Sequence, residues 1–192
     1  MGAVGLKEDR SAPCTIFYHA RGPMQRSLVI GYGNIDRADD GVAYDVINAL
    51  RRRLGQELLP EGDTGLEDLG RPIDSVFLSQ LAPELMEVLT SYDRVIFVDA
   101  HVYENVEALH CCPVSPDAAS LIFTHHMTPS TLLAMQMAIY NMEPEAHLVS
   151  LRGYDFDFHR GLSADTASLV EPAVEWIMQW LTDTAGQVEA SP

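Results

Sequence analysis

The sequence predicts an α/β domain, a largely parallel sheet covered by helices on both faces. Short apolar runs recur along the chain, as in Ser27-Leu28-Val29-Ile30-Gly31 and Val95-Ile96-Phe97-Val98. They lack polar alternation and end at glycine or acid, the pattern of strands buried on both faces. Segments with helical spacing lie between them, and strands alternating with helices wind a parallel sheet.

Element by element, the first strand begins at Ser27. Val42, Val46, Leu50 and Leu54 then recur at helical spacing with Ile47 on the same face, so residues 41–55 read as an amphipathic helix. Asp39 and Asp40 stand at its start, where acids favour the free N–H groups. The polar stretch from Gly55 to Pro72 reads as a functional loop or a mobile insertion. A strand over Ile73–Leu78, a helix over Pro83–Leu89 and a strand over Val95–Val98 follow. Glu107 to Cys112 reads as a weaker edge strand. Thr128-Pro129 caps a helix that runs through Tyr140, proline being favoured in the first turn. His147–Leu151 is another strand. The last helix places Val170, Val174, Ile177 and Leu181 on one face, and Pro172 either kinks it or marks its start.

With 192 residues the chain suits one compact domain with a full core. That domain is read over residues 27–183, with residues 1–26 a flexible extension and 184–192 a tail. The net charge of −16 argues against nucleic acid and anionic membrane surfaces, which need clustered Lys and Arg. No apolar run approaches the ~20 residues of a membrane-spanning helix. Cys14, Cys111 and Cys112 form neither an even framework nor a CxxC pair, which suggests a reducing compartment. Residues 1–26 show no secretion core, and the cytoplasm is the expected location.

Chemistry concentrates at strand ends, where ligands of an open parallel sheet gather. Asp40 lies in Gly31-Tyr32-Gly33-Asn34-Ile35-Asp36-Arg37-Ala38-Asp39-Asp40-Gly41, Asp99 ends an apolar strand, and His125 opens Thr124-His125-His126-Met127-Thr128-Pro129. Two carboxylates and an imidazole suit a divalent transition metal, with positions left for water or substrate. Each has a plain alternative: Asp40 as a helix-start acid, Asp99 as a loop cap, the histidines as packing or surface groups. The convergence of all three on one sheet rim favours the site. Gly31-x-Gly33 does not extend to a dinucleotide fingerprint, because Asp36 stands at the third glycine position and the nearby acids repel a pyrophosphate. No GxSxG elbow appears, and Cys111-Cys112 reads as buried. Asp36, Arg37, His101, Tyr103, Asp155 and His159 read as solvated loop residues. Met127, Met135, Met137 and Met142 read as core.

With these motifs in view, the chain from about Ser27 to Leu181 resembles the hydrogenase maturation endopeptidases, which process the large subunit of nickel–iron hydrogenases. Gly31-x-Gly33-Asn34 followed by Asp39-Asp40-Gly41 is similar to the family's opening motif. Val98-Asp99-Ala100 is similar to its second and Thr124-His125 to its third. The resemblance implies a three-layer α/β/α sandwich around a twisted, mostly parallel five-stranded sheet, phosphorylase/hydrolase-like. It implies Asp40, Asp99 and His125 as metal contacts, with His126 in reserve, and Asp40 and Asp99 as the catalytic pair. Gly33, Asn34, Asp39 and Gly41 would meet the substrate. The implied partner is a large-subunit precursor that brings its own nickel, with no organic cofactor, and the implied reaction removes its C-terminal extension. A non-cleaving, metal-binding assembly chaperone and a small-molecule hydrolase are the alternatives on the same scaffold.

Overall fold

The computed structural model describes residues 25–117 and 127–183. Five strands form one sheet: β1 (Ser27–Tyr32), β2 (Ile73–Leu78), β3 (Arg94–His101), β4 (Leu109–Pro113) and β5 (Glu145–Arg152). Their spatial order is β2-β1-β3-β5-β4. The first four in that row run parallel, and β4 pairs antiparallel with β5 at the edge. The expected mostly parallel, five-stranded sheet is therefore present, with the weak strand at its border.

The helices are α1 (Val42–Arg53), α2 (Leu85–Leu89), α3 (Pro129–Tyr140), α4 (Ala164–Ala167) and α5 (Val170–Asp183). Alternation along the strands divides the apolar side chains between two cores. Val29, Ile96, Val98, Val149 and Leu151 pack against α1 and α5 through Val46, Leu50, Val174 and Ile177. Leu28, Ile30, Val76, Val95 and Phe97 pack on the other face against α2 and α3 through Leu85, Leu89, Leu132 and Leu133. These two cores are the inner surfaces of a three-layer sandwich.

Local chemistry explains most element ends. Thr128 caps α3, its hydroxyl accepting from the Thr131 amide at 3.2 Å. Asn141 closes the same helix with φ 52°, a left-handed conformation that asparagine tolerates. Pro172 falls in the first turn of α5 and marks its start rather than a kink. Ser163 caps the short α4 that precedes it.

The stretch over residues 55–72 is ordered around Arg51, a cation only 2% exposed. Its guanidinium donates to the carbonyls of Glu57 and Ser75. Tyr44 donates to the Leu59 carbonyl at 2.7 Å, and Asn48 accepts from the Leu59 amide at 2.8 Å. The loop thereby covers the outer edge of β2, where Phe77 donates its amide to the Thr64 carbonyl at 3.0 Å.

Candidate active site

Strand β1 stops at Tyr32 while its parallel neighbour β3 runs on along β5 to His101, and the register of the two decides what meets at the rim. Ile30 pairs with Phe97 and Gly31 with Val98, so the next pair is Tyr32 beside Asp99. Ile30 and Phe97 share the α2/α3 core, and the period of two puts Tyr32 and Asp99 on that same face. The Tyr32 hydroxyl donates to the Asp99 carboxylate. The Ala100 amide donates to Asp99 Oδ1 at 2.8 Å.

Asp99 is half-buried, and burial pushes its carboxyl up to about 6. The two hydrogen bonds oppose that rise, and the neighbouring Asp40 carboxylate adds to it. Tyr32 is in turn held well above the ordinary tyrosine value, first by burial and then by the Asp99 charge, so it remains a donor.

Asp40 reaches the rim from the loop after β1. That loop ends in a 3-10 turn over Ala38–Gly41 that runs into α1. The Asn34 amide donates to Asp40 Oδ2 at 3.2 Å, and Asn34 Oδ1 accepts from the Asp36 amide at 2.9 Å. Gly33 has φ 145°, and a Cβ there would lie 2.1 Å from the Asp40 carbonyl oxygen, so only glycine lets the loop close. Ala38 is left-handed at φ 45°, a local strain that the surrounding contacts hold in place.

Tyr32, Gly33, Asp40 and Asp99 open onto one cleft of about 1280 Å³. Its walls come from the β2–α2 connection (Ser79 to Pro83), the end of β4 and the start of α3. Ordinary small-molecule pockets run to roughly 1,000 Å³, so this space suits an extended peptide. Among the described residues its lining includes Asp40, Asp99 and Asp117 but no Lys or Arg, so its side-chain charge is acidic.

Asp39 sits elsewhere. It is fully buried, and its carboxylate accepts five hydrogen bonds, from the amides of Tyr154, Asp155 and Ser163 and the hydroxyls of Ser163 and Thr166. Burial alone would raise its pKa. The donors outweigh burial and bring the carboxyl down to about 2. Asp39 is thus the anchor that ties the Asp40 loop to residues 153–166. Asn34 and Gly41 likewise shape the loop without lining the cleft; a Cβ at Gly41 would sit 2.8 Å from the Ile35 Cα. Of the four positions expected at the substrate, Gly33 lines the cleft.

Other expectations also shift. His101 is buried, not solvated, with Nδ1 2.7 Å from the Ser150 hydroxyl and its ring stacked on Tyr103. Asp155 and His159 pair at 2.9 Å, and Arg160 bridges Asp36 and Glu61. Met127 and Met135 pack against the α2/α3 core as expected and also line the cleft, while Met137 and Met142 are exposed. Cys112 faces the cleft, and Cys111 is half-buried against the core with its thiol pushed up to about 11 by burial. His125 and His126 lie outside the described residues, as does Cys14. Among the described residues, no cluster of three or more His, Cys, Asp or Glu side chains could hold a metal ion. Tyr32 was not singled out from sequence, although its place at the end of β1, one residue before the loop, was a usable signal.

The chain is 25% identical over 179 residues to the hydrogenase 2 maturation protease of Escherichia coli, spanning 87% of this chain and 96% of that protein. Over nearly its whole length, then, the chain is similar to a hydrogenase maturation protease. Its fold matches the hydrogenase maturating endopeptidase HybD of Escherichia coli with a TM-score of 0.61 at 21% identity, over 83% of this chain and 93% of that one. The NiFe hydrogenase maturation protease HycI of Thermococcus kodakarensis matches with a TM-score of 0.56 at 18% identity, over 82% and 92%. No family model matches the chain. In this fold Asp40 and Asp99 stand at the carboxyl end of the sheet, where a doubly wound scaffold collects its ligands.

Proposed function

We propose that this protein is an endopeptidase that removes the C-terminal extension of a nickel-loaded nickel–iron hydrogenase large-subunit precursor. One observation carries the reading. Asp40 and Asp99, delivered by separate elements, open onto one peptide-sized cleft whose described lining has no Lys or Arg. The likeness to a hydrogenase 2 maturation protease over nearly its whole length supports the substrate class.

In this reading Asp40, Asp99 and His125 hold the nickel that the precursor brings, with His126 in reserve. Oxygen and imidazole donors fit nickel and equally zinc, so the choice of nickel rests on the substrate class. Asp99 prefers its proton until about pH 6, and above that its charge gives the cleft an affinity for a cation. A carboxylate that titrates near neutrality also suits general-base activation of the attacking water, and Asp40 and Asp99 are the catalytic pair. Tyr32 holds Asp99 in orientation. Gly33 lets the substrate backbone approach the loop closely. The cytoplasm, where the precursor matures, is the proposed compartment; no helix of the described residues is long and apolar enough to cross a membrane.

The test is intact mass of the precursor after incubation with this protein, with and without nickel loading. Loss of a C-terminal peptide from the loaded form alone is the expected result. Stable binding with unchanged mass would return the protein to an assembly chaperone.

A further inference from the structure

Exposed apolar side chains beside the cleft are concentrated on two loops. Val102 and Tyr103 follow β3 and are 62% and 64% exposed, while Tyr154 and Phe158 follow β5 and are 52% and 84% exposed. β3 and β5 are neighbours in the sheet, so both loops leave the same rim as Asp99. Val102, Tyr103 and Phe156 line the cleft itself, which makes the patch continuous with the site.

These side chains are held, not merely left in water. The Gly153 amide donates to the His101 carbonyl at 2.9 Å, joining the two loops at their base. Asp39 accepts from the Tyr154 and Asp155 amides. Arg37 donates to the Phe156 carbonyl at 3.2 Å and lies 5.5 Å from the centre of the Phe158 ring. The Asp157 amide is tied to the Asp155 carboxylate at 2.9 Å, and the Ala38 amide reaches the His159 carbonyl at 2.8 Å. At Gly153 a Cβ would lie 2.4 Å from the Phe156 ring, so the missing side chain lets that ring fold back against the Gly153 backbone. A rigid loop that presents Phe158 almost wholly to solvent has already met the ordering cost that an interface anchor otherwise incurs on binding. Aromatic anchors in such positions carry a large share of binding energy.

We infer that the Tyr154–Phe158 loop, together with Val102 and Tyr103, is the surface on which the folded body of the substrate polypeptide docks while its C-terminal tail enters the cleft. The inference rests on the endopeptidase reading and adds the second contact that such a substrate requires. Continuity with the cleft selects this occupant. In residues 154–158 the aromatic side chains alternate with Asp155 and Asp157, and Glu104 beside Tyr103 is also exposed. Asp155 is taken up by His159, which leaves Asp157 and Glu104 to face the partner, and the complementary surface is an apolar socket with basic groups opposite those two acids.

The experiment measures calorimetric affinity of wild type, Phe158→Ser and Tyr140→Ser for the nickel-loaded precursor and for a synthetic peptide of its C-terminal tail. Both substitutions change exposed side chains, and Tyr140, at the end of α3, serves as the control. Phe158→Ser is expected to weaken the precursor complex by about tenfold or more, the scale of an interface anchor. Tyr140→Ser should match wild type, and all three proteins should bind the tail peptide alike. Wild-type affinity of Phe158→Ser for the precursor overturns the inference while wild-type cleavage leaves the endopeptidase reading standing. An equal loss for the tail peptide overturns it too, by placing the effect in the cleft. Wild-type self-association that Phe158→Ser abolishes assigns the patch to a second copy and also overturns it. If wild type neither binds nor cleaves the precursor, the endopeptidase reading fails and takes the inference with it.

Discussion

Asp39 and Asp99 are the same residue type, both withdrawn from water, yet their carboxyls move in opposite directions. Five donors converge on Asp39 and hold it down at about 2. Asp99 has the Tyr32 hydroxyl and the Ala100 amide, stands near Asp40, and rises to about 6. Burial pushes both upward, so the number of donors decides the outcome. A carboxylate saturated by its own protein is an anchor. One left short of donors beside a second acid still needs a proton or a cation, and that need is what a site can use.

The largest effect that tests this contrast is on activity. Asp99→Asn and Asp40→Asn should each abolish cleavage of loaded precursor while circular dichroism stays that of wild type. Processing retained by both variants would falsify the roles given to the cleft acids.

The next effect is on stability and belongs to the anchor. Asp39→Ala strands five donors, among them the Thr166 hydroxyl, and should cost about 3–5 kcal/mol in urea unfolding. The pH dependence carries a sign. The folded pKa of Asp39 lies below its ordinary value, so its contribution is full above about pH 4 and is lost as pH falls toward 2. Wild type should lose stability over that window, and Asp39→Asn, already weaker, should show a flatter profile there.

Asp99 should behave in reverse. Its folded pKa is raised, so stability declines as pH rises from about 4 through 6. Asp99→Asn should therefore be more stable than wild type at pH 8 by about 1–3 kcal/mol, although inactive. A destabilised Asp99→Asn at that pH would erase the distinction between anchor and site.

The smallest effect sharpens the comparison. The Tyr32 hydrogen bond opposes the rise at Asp99, so Tyr32→Phe should move the acid limb of the cleavage rate to higher pH, by less than about one unit. Rates between pH 5 and 8 with an unmoved limb would separate Tyr32 from the titration of Asp99.

Much of this was legible before any coordinates. The α1 face follows from Val42, Val46 and Leu50, and the α3 start follows from Thr128-Pro129, because helical period and capping are local properties. The strand expected to stop before Asp99 runs on through it to His101, because β5 continues to pair with it, whereas the edge character of β4 was readable. The ordering of residues 55–72 was not, because it depends on a buried Arg51 that meets carbonyls on two other segments. The exposed Met137 misleads for a related reason: α3 is apolar on most sides, so period alone does not say which side is covered, and Met142 falls beyond the helix end at Asn141.

By itself the sequence determined the strand and helix order, the glycine-dependent loop after β1 and the pair of acids at its end. These follow from steric limits and periodicities that act over a few residues. Only the tertiary structure decided which of Asp39 and Asp40 faces the cleft. The choice is made by donors at Tyr154, Asp155, Ser163 and Thr166, more than a hundred positions away along the chain, which close on Asp39 and leave Asp40 free to face Asp99. Likewise the Tyr32–Asp99 contact arises from the register of two parallel strands, and register is set by packing of both sheet faces rather than by either strand alone.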